Sequence, residues 1–336
     1  MKKLLFSALL AALSATLLAT NPGLSFDRNG EFRILQLTDC HMKFETPEEH
    51  NKTLARIDHV IKEEHPDFIA ITGDVVTGNR DTRSRMWHIV IDRLDSYGIP
   101  YAIVYGNHDA EGADDLPRPV MSGIIASGRN CVNELNSVGE LADIRVPVKH
   151  SKGNGNAFDM YFLDSHDYPE NMGFSEDVGS YAWFTFSQVE WLRHSCEEST
   201  AANGGRHVPS MAFFHIPLRE YEDVCRDGSV IGIHGEDICC GPVNTGMFGA
   251  MFETGNMIGV FAGHDHDNNF IAIHRGIALA YGGFSGDDTT YNHLAHGLRI
   301  IVVKEGERNF TTWIHEEDDR IQFKAEYKDG QLNKVR

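Results

Sequence analysis

The stretch Asp67-Phe68-Ile69-Ala70-Ile71-Thr72-Gly73-Asp74 decides the fold. It is an almost continuous apolar run that stops at a glycine followed by an aspartate. Apolar runs of this length are typical of strands buried on both faces, which occur in sheets covered by helices on each side. Ligands of such sheets bind at the carboxyl ends of the strands, where Asp74 stands. The stretch therefore predicts an α/β fold with its site at a sheet edge.

Four more predicted strands end in the same way, with Asp, Asn or His after the last apolar residues. The strand at 32–37 leads into Asp39-Cys40-His41, and the strand at 101–105 leads into Gly106-Asn107-His108-Asp109. The strand at 210–214 leads into His215, and the strand at 257–262 leads into Gly263-His264-Asp265-His266. Helices predicted from Pro47 or Glu48 to Glu64 and over 83–97 alternate with the first strands. We expect one sheet edge to present all these polar side chains.

The side chains at these strand ends are of the types that bind transition metals. Asp39 and His41 are two residues apart, so an extended exit from the strand would point both to one side. His264 and His266 repeat that spacing, and the two oxygens of Asp74 could bridge two ions. A mixture of carboxylate, amide and imidazole suits Mn, Fe or Zn better than calcium. The candidate metal ligands are Asp39, His41, Asp74, Asn107, His215, His264 and His266.

Two such ions, roughly 3.5–4 Å apart, form a clamp for in-line attack on phosphorus by a bridging hydroxide. The leaving alkoxide then needs a proton, which His108 can supply beside the candidate ligand Asn107. We expect Asp109 to hold the His108 ring, and Asn107 and His108 to contact the substrate.

A second Asp-x-His motif, called the decoy below, shows that a single motif is weak evidence for a metal site. Asp164-Ser165-His166 has the same pattern as Asp39-Cys40-His41 and also follows a predicted strand, at 158–163. We interpret it as a loop without a ligand role. The prediction of a metal site therefore depends on the ordered set of five blocks.

The set resembles the motifs of calcineurin-like metallophosphoesterases: Asp39-x-His41, Gly73-Asp74-x-x-x-Gly78, Gly106-Asn107-His108-Asp109, His215 and Gly263-His264-Asp265-His266. The resemblance implies a four-layer α-β-β-α sandwich of two mixed sheets flanked by helices. It also implies how the two metals share their ligands. One metal would take Asp39, His41, Asp74 and His266, and the other would take Asp74, Asn107, His215 and His264.

Other segments, including His215-Ile216-Pro217 and Gly241-Pro242-Val243-Asn244-Thr245-Gly246, are similar to exported plant and fungal proteins of the purple-acid-phosphatase-like type. True purple enzymes carry a tyrosine ligand three residues after the bridging aspartate. Thr77 stands at that position here, so no purple tyrosinate–iron colour is expected.

The N-terminus has the pattern of a signal peptide, which we predict over 1–22. Lys2 and Lys3 precede an apolar stretch from Leu4 to about Ala19. The stretch is short for a membrane span, although an uncleaved anchor is the alternative. We expect export to a periplasm or the exterior, without stable membrane insertion after cleavage. Residues 30–336 are predicted to form a single domain that includes the C-terminal strands of 298–336.

The formal net charge of −19 argues against a nucleic-acid duplex as partner, because like charges repel. It does not exclude a small phosphoester, since bound metal can reverse the sign within one cleft. Six cysteines allow disulfides in an exported protein, but the sequence assigns neither their pairing nor the oligomeric state.

Three functions agree with these features. The first is hydrolysis of phosphate monoesters. The alternative is a phosphodiesterase acting on nucleotide or lipid head-group diesters, because one dinuclear site can perform both reactions. The third is a non-catalytic module that binds a phosphate ligand, which would usually have lost a ligand or His108.

Overall fold

The computed structural model describes residues 23–111, 117–153, 155–226, 228–287, 291 and 293–335. The predicted signal peptide at 1–22 lies outside this range. Among the described residues, no helix is both long and apolar enough to cross a membrane.

Thirteen strands are present in the described part of the chain. In chain order, β1 to β13 are Glu31–Leu37, Phe68–Thr72, Tyr101–Val104, Ile144–Lys149, Asn156–Phe162, Ser210–Phe213, Met257–Ala262, Ile271–His274, Ile277–Tyr281, Gly297–Lys304, Asn309–Glu316, Ile321–Lys328 and Gln331–Lys334.

The strands form two mixed sheets. The seven-stranded sheet has the order β13-β12-β11-β10-β1-β2-β3, and the six-stranded sheet has the order β4-β5-β6-β7-β9-β8. Strands β1, β2 and β3 are parallel neighbours, as are β5, β6, β7 and β9. Strand β10 pairs antiparallel with β1. The C-terminal strands therefore extend the sheet that carries the first three motifs.

Six α-helices complete the described fold: α1 to α6 are Pro47–Glu64, Arg80–Ser96, Arg118–Ala126, Phe186–Ala202, Glu220–Arg226 and Met247–Thr254. Apolar residues of α1 and α2, such as Ile57 and Trp87, pack on the outer face of the first sheet. Residues of α4 to α6, such as Leu192 and Met251, pack on the outer face of the second sheet. These layers confirm the predicted α-β-β-α sandwich.

The space between the sheets is filled with aromatic rings from neighbouring strands. Phe162 stacks on Phe213 with centroids 5.1 Å apart, and Phe213 stacks on Phe261 at 5.4 Å. Burying large rings in this way contributes strongly to stability. Between the sheets, Phe162 of β5 packs against Phe68 of β2 and Phe261 of β7 against Phe310 of β11, with centroids 5.7 and 6.0 Å apart. These contacts hold the two sheets face to face, with the carboxyl ends of β1, β2, β3, β6 and β7 on one side.

The expectation of one sheet edge is wrong, because the polar strand ends come from both sheets. Asp39, Asp74 and Asn107 follow strands of the first sheet, while His215 and His264 follow strands of the second. Periodicity reveals that a strand is buried, but it does not reveal which sheet contains it. Sequence reasoning also missed β4, β13, α5 and α6.

Candidate metal centre

Hydrogen bonds donated by backbone amides join four of the five strand ends into one cluster of loops. The amide of Asp39 donates to Gly73 O at 3.1 Å, and the amide of His41 donates to Asp74 O at 2.9 Å. In the second sheet, Gly263 N donates to His215 O at 3.1 Å. The His264 amide then crosses between the sheets to the carboxylate of Asp39, at 3.1 Å.

Four candidate ligands have left-handed backbone conformations. Their φ angles are 51° at Asp39, 44° at His41, 49° at Asp74 and 82° at His264. The predicted extended exit from the strand is therefore wrong. Such conformations are costly for residues other than glycine and concentrate at functional sites. Here they turn each side chain into the space between the loops.

Two glycines permit the close approach of these loops. A Cβ added at Gly106 would lie 2.1 Å from Asp74 Oδ1, and one at Gly263 would lie 2.0 Å from Thr38 Oγ1. Both distances are far below van der Waals contact. Glycine at these motif positions is therefore needed for space.

The first cluster consists of Asp39, His41 and His266, all buried. His41 Nε2 and His266 Nε2 are 3.1 Å apart, and His266 Nε2 is 3.7 Å from Asp39 Oδ1. Two imidazole nitrogens and a carboxylate oxygen thus converge on a space that a transition-metal ion fits.

The second cluster consists of Asp74, His215 and His264, also buried. His215 Nε2 is 3.2 Å from Asp74 Oδ2 and 3.2 Å from Asn107 Oδ1. Asn107 therefore adds an amide oxygen to this cluster.

Asp74 lies between the clusters, because the same Oδ2 is also 3.6 Å from His41 Nε2. A bridging position is the one that the resemblance implies for it. The clusters also divide the remaining residues as the resemblance implies. His264 and His266 fall in different clusters, so the idea that their spacing lets them bind one ion is wrong.

The other nitrogen of two imidazoles is held by a backbone carbonyl. His215 Nδ1 is 2.8 Å from Thr72 O, and His266 Nδ1 is 3.2 Å from Tyr291 O. A carbonyl only accepts, so the proton of a neutral ring stands on Nδ1 and the Nε2 lone pair faces the clusters.

Burial and charge prepare these groups for a cation. Burial lowers the pKa of His41 to about 3 and that of His264 well below its usual value, so both rings are neutral. Burial also lowers the pKa of His215, but Asp74 and Asp39 outweigh it and raise that pKa to about 10. His264 Nε2 is buried and has no hydrogen-bond partner among the described residues. An orphaned lone pair among buried carboxylates fits a metal ion.

His108 lies at the open side of the clusters, with its ring 5.4 Å from that of His41. The prediction that Asp109 holds this ring is wrong. His108 Nδ1 is 2.5 Å from Glu111 Oε2 instead. Asp109 is fully buried and accepts from the amides of Asp74, Val75, Val76 and Gly106 at 2.8–3.0 Å.

Asp109 thus fixes the loop that carries Asp74, and it does not line the cavity over the two clusters. Burial, together with the charge of Asp74, raises its pKa to about 6.

A cavity of about 320 Å³ opens over the clusters. The predicted residues share this lining with Lys43, Thr77, Glu111, Tyr181, Cys239, Asp265 and Tyr291. The Tyr181 ring stands edge-on to His264, with centroids 4.4 Å apart. The sequence could have predicted that Lys43 lines this cavity, since it is two residues after His41.

Thr77 Oγ1 donates to His41 O at 3.0 Å. The position of the purple-enzyme tyrosine is therefore occupied by a side chain that binds a loop carbonyl.

The decoy Asp164-Ser165-His166 lies outside the clusters, in accordance with its interpretation as a loop. The Asp164 carboxylate pairs with Arg118, and His166 Nε2 is 2.9 Å from Gln188 Oε1. Gln188 also forms the capping box of α4 with Thr185.

With this geometry established, comparison with known proteins identifies the class. The sequence model of the calcineurin-like phosphoesterase family matches residues 32–268, a range that contains every candidate ligand. The chain belongs to this family.

Its relatives include plant and fungal proteins. Probable inactive purple acid phosphatase 28 of Arabidopsis thaliana is 30% identical, over 87% of this chain and 80% of that protein. Phosphatase DCR2 of Saccharomyces cerevisiae is 27% identical, over 84% of this chain and 53% of that protein. A dimetal phosphatase from Danio rerio, 12% identical, superposes with a TM-score of 0.59 over 89% of this chain and 99% of that one. That likeness shows the fold alone.

Proposed function

We propose that the protein is an exported hydrolase of phosphate monoesters that uses two transition-metal ions, Mn, Fe or Zn. The observation that carries this proposal is the pair of buried clusters that share Asp74 Oδ2, where His264 Nε2 has no hydrogen-bond partner in the described part of the chain. Because desolvation of unpaired polar groups is costly, such a set is retained only where a ligand satisfies it.

The bound ions would supply Lewis-acid activation of water and of the phosphoryl oxygens. The protein's own residues do the rest. Asp74 holds both sites in register through one carboxylate. Asn107 Nδ2 donates to Tyr168 OH at 3.1 Å, which orients Oδ1 toward the His215 side of the centre. His108 would give a proton to the leaving oxygen, and the contact of its Nδ1 with Glu111 Oε2 would orient the ring.

Catalysis has to be proposed because relatives named phosphatase and relatives named probable inactive both match this chain. The site here retains all seven candidate ligands and His108. A binding module would keep the fold but would have no need of a leaving-group acid beside the centre.

The preference for monoesters rests on charge. Lys43 is the only Lys or Arg among the described residues that line the cavity. A monoester dianion carries more negative charge than a diester and gains more from this amine. Lys43→Met should therefore weaken monoester hydrolysis more than diester hydrolysis.

The test is an assay of the purified protein, loaded separately with Mn, Fe or Zn, on p-nitrophenyl phosphate and bis(p-nitrophenyl) phosphate. We expect faster hydrolysis of the monoester. Faster hydrolysis of the diester would favour the phosphodiesterase. If folded, metal-loaded protein hydrolyses neither ester, the proposal of an enzyme is wrong and the non-catalytic binding module is favoured. Asp74→Asn should reduce the content of both metals together, which checks the bridge independently of activity.

Export is tested separately by expressing the full chain with a C-terminal tag. Recovery outside the cytoplasm, with an N-terminus near residue 23, supports it. Retention of the uncleaved chain in the membrane fraction would support the anchor.

A further inference from the structure

A second group of ligand-type side chains shares no residue with the metal centre. It lies where α1 meets the turn between β11 and β12. His59 Nε2 is 2.5 Å from Asp319 Oδ1, and His315 Nε2 is 3.3 Å from the same oxygen. The three ligand atoms all lie within 4.8 Å of one another.

The buried member of this group is held in one orientation. The His315 side chain is only 6% exposed, and its Nδ1 is 2.8 Å from Glu64 Oε1. Glu64 Oε1 also accepts from Trp313 Nε1 at 2.9 Å. Because this oxygen is already an acceptor, the His315 Nδ1 proton points to it. Carboxylates hold metal-binding histidines in this manner.

A neutral His315 consequently turns the lone pair of Nε2 toward the carboxylate of Asp319. Two lone-pair atoms that face each other need a cation between them, which is either a second proton or a metal ion. In the described part of the chain, Asp319 pairs only with the two histidines, while the neighbouring Arg320 pairs with Glu316 and Asp318. The charge of Asp319 is therefore not neutralised by Lys or Arg.

We propose that His59, His315 and Asp319 bind a divalent transition-metal ion of the zinc type, separate from the dinuclear centre. Two imidazoles and one carboxylate form a common zinc ligand set, with a fourth position for water. Bonds of about 2.0–2.2 Å place two ligands of a tetrahedral ion about 3.3 Å apart, close to the His315–Asp319 separation. His59 and Asp319 must move apart slightly. Their side chains, 42% and 65% exposed, have room to do so.

The ion would join α1 to the β11–β12 turn. It would therefore stabilise the packing of α1 against the C-terminal strands β11 and β12.

The experiment compares the zinc content of wild type, His59→Gln and Asp319→Asn after incubation with zinc chloride and gel filtration. His194→Gln is the matched control, because His194 is 56% exposed and contacts Glu190 and Glu197 on its own helix. We expect both site variants to hold one zinc per chain fewer than wild type and the control. Their circular dichroism should be unchanged, since Asp319 is exposed and His59 is only partly buried.

This difference does not depend on how full the dinuclear centre is, so the result stands whether or not the proposed hydrolase activity is found. Equal zinc content in all four proteins would overturn the proposal and leave a proton as the cation. If one site variant does not fold, the other decides the outcome.

Discussion

Two turns of this molecule have the same sequence pattern, but different partners. Asp39-Cys40-His41 follows β1, and Asp164-Ser165-His166 follows β5. Both histidines have left-handed φ angles, 44° and 62°. In the second turn an arginine and an amide satisfy the side chains. In the first turn imidazoles and Asp74 surround the aspartate, and no Lys or Arg pairs with it in the described part of the chain.

The comparison shows that the Asp-x-His pattern alone does not make a metal site. The charges of the side chains around the aspartate decide whether it needs a metal ion. A carboxylate beside Arg118 already has its counter-charge. A carboxylate that lies among imidazoles, without Lys or Arg beside it, suits a metal cation from outside.

The largest effect is expected from substituting the aspartate of each turn. Asp39→Asn removes an anionic ligand of the first cluster, so one metal should be lost and kcat should fall by about 10³-fold, as when a single charge-stabilising group is removed. Asp164→Asn, the matched control, should leave metal content and kcat unchanged. Metal analysis and p-nitrophenyl phosphate kinetics measure both. Equal losses in the two variants would mean that the decoy turn belongs to the site.

The next effect concerns proton donation. His108→Ala should keep both metals and slow hydrolysis of an alkyl phosphate by about 10²–10⁴-fold, the usual contribution of a general acid. The loss should be much smaller with p-nitrophenyl phosphate, whose leaving group needs no proton. His166→Ala, in the decoy turn, should lower neither rate. An unchanged alkyl phosphatase rate in His108→Ala would remove the acid role.

Glu111→Gln should have a smaller effect on the same reaction. The amide cannot hold the His108 ring as the carboxylate does, so we expect about a tenfold lower kcat for alkyl phosphate, less than the 10²–10⁴-fold contribution of the general acid itself. Metal content and KM should not change. Glu140→Gln is the control, because Glu140 contacts Arg118 near the decoy turn. A loss of the same size with p-nitrophenyl phosphate would show a structural role instead.

These residues also show what sequence could predict. All seven candidate ligands could be predicted, because the ends of buried strands are easily recognised in the sequence. The side chains converge because the fold brings these strand ends together. The partner of His108 was misjudged, since adjacency suggested Asp109 while the turn places Glu111 against the ring. The division of His264 and His266 between clusters could not be derived from spacing, because the left-handed φ of 82° at His264 is set by tertiary contacts. Only the family resemblance supplied it.

The smallest expected effect is on stability near the decoy turn. Asp143 Oδ1 accepts from the Asp164 amide at 2.8 Å. Burial raises the pKa of Asp143 to about 6, although this hydrogen bond opposes the increase. The folded state holds this proton more tightly than the unfolded chain does. The free energy of unfolding therefore decreases as the pH rises from about 4 to 6. The ionised form is then a net cost above pH 6.

Asp143→Asn keeps the acceptor oxygen but removes the charge, so its melting temperature should exceed that of wild type at pH 7–8 and converge with it near pH 4. Melting is measured in metal-free protein, because bound metal would add its own pH-dependent stabilisation. A constant difference across pH would mean that the substitution acts through packing. The Asp39 turn cannot be tested in this way, since there the charge and the metal site are lost together, and this dependence on a cation separates the two turns most sharply.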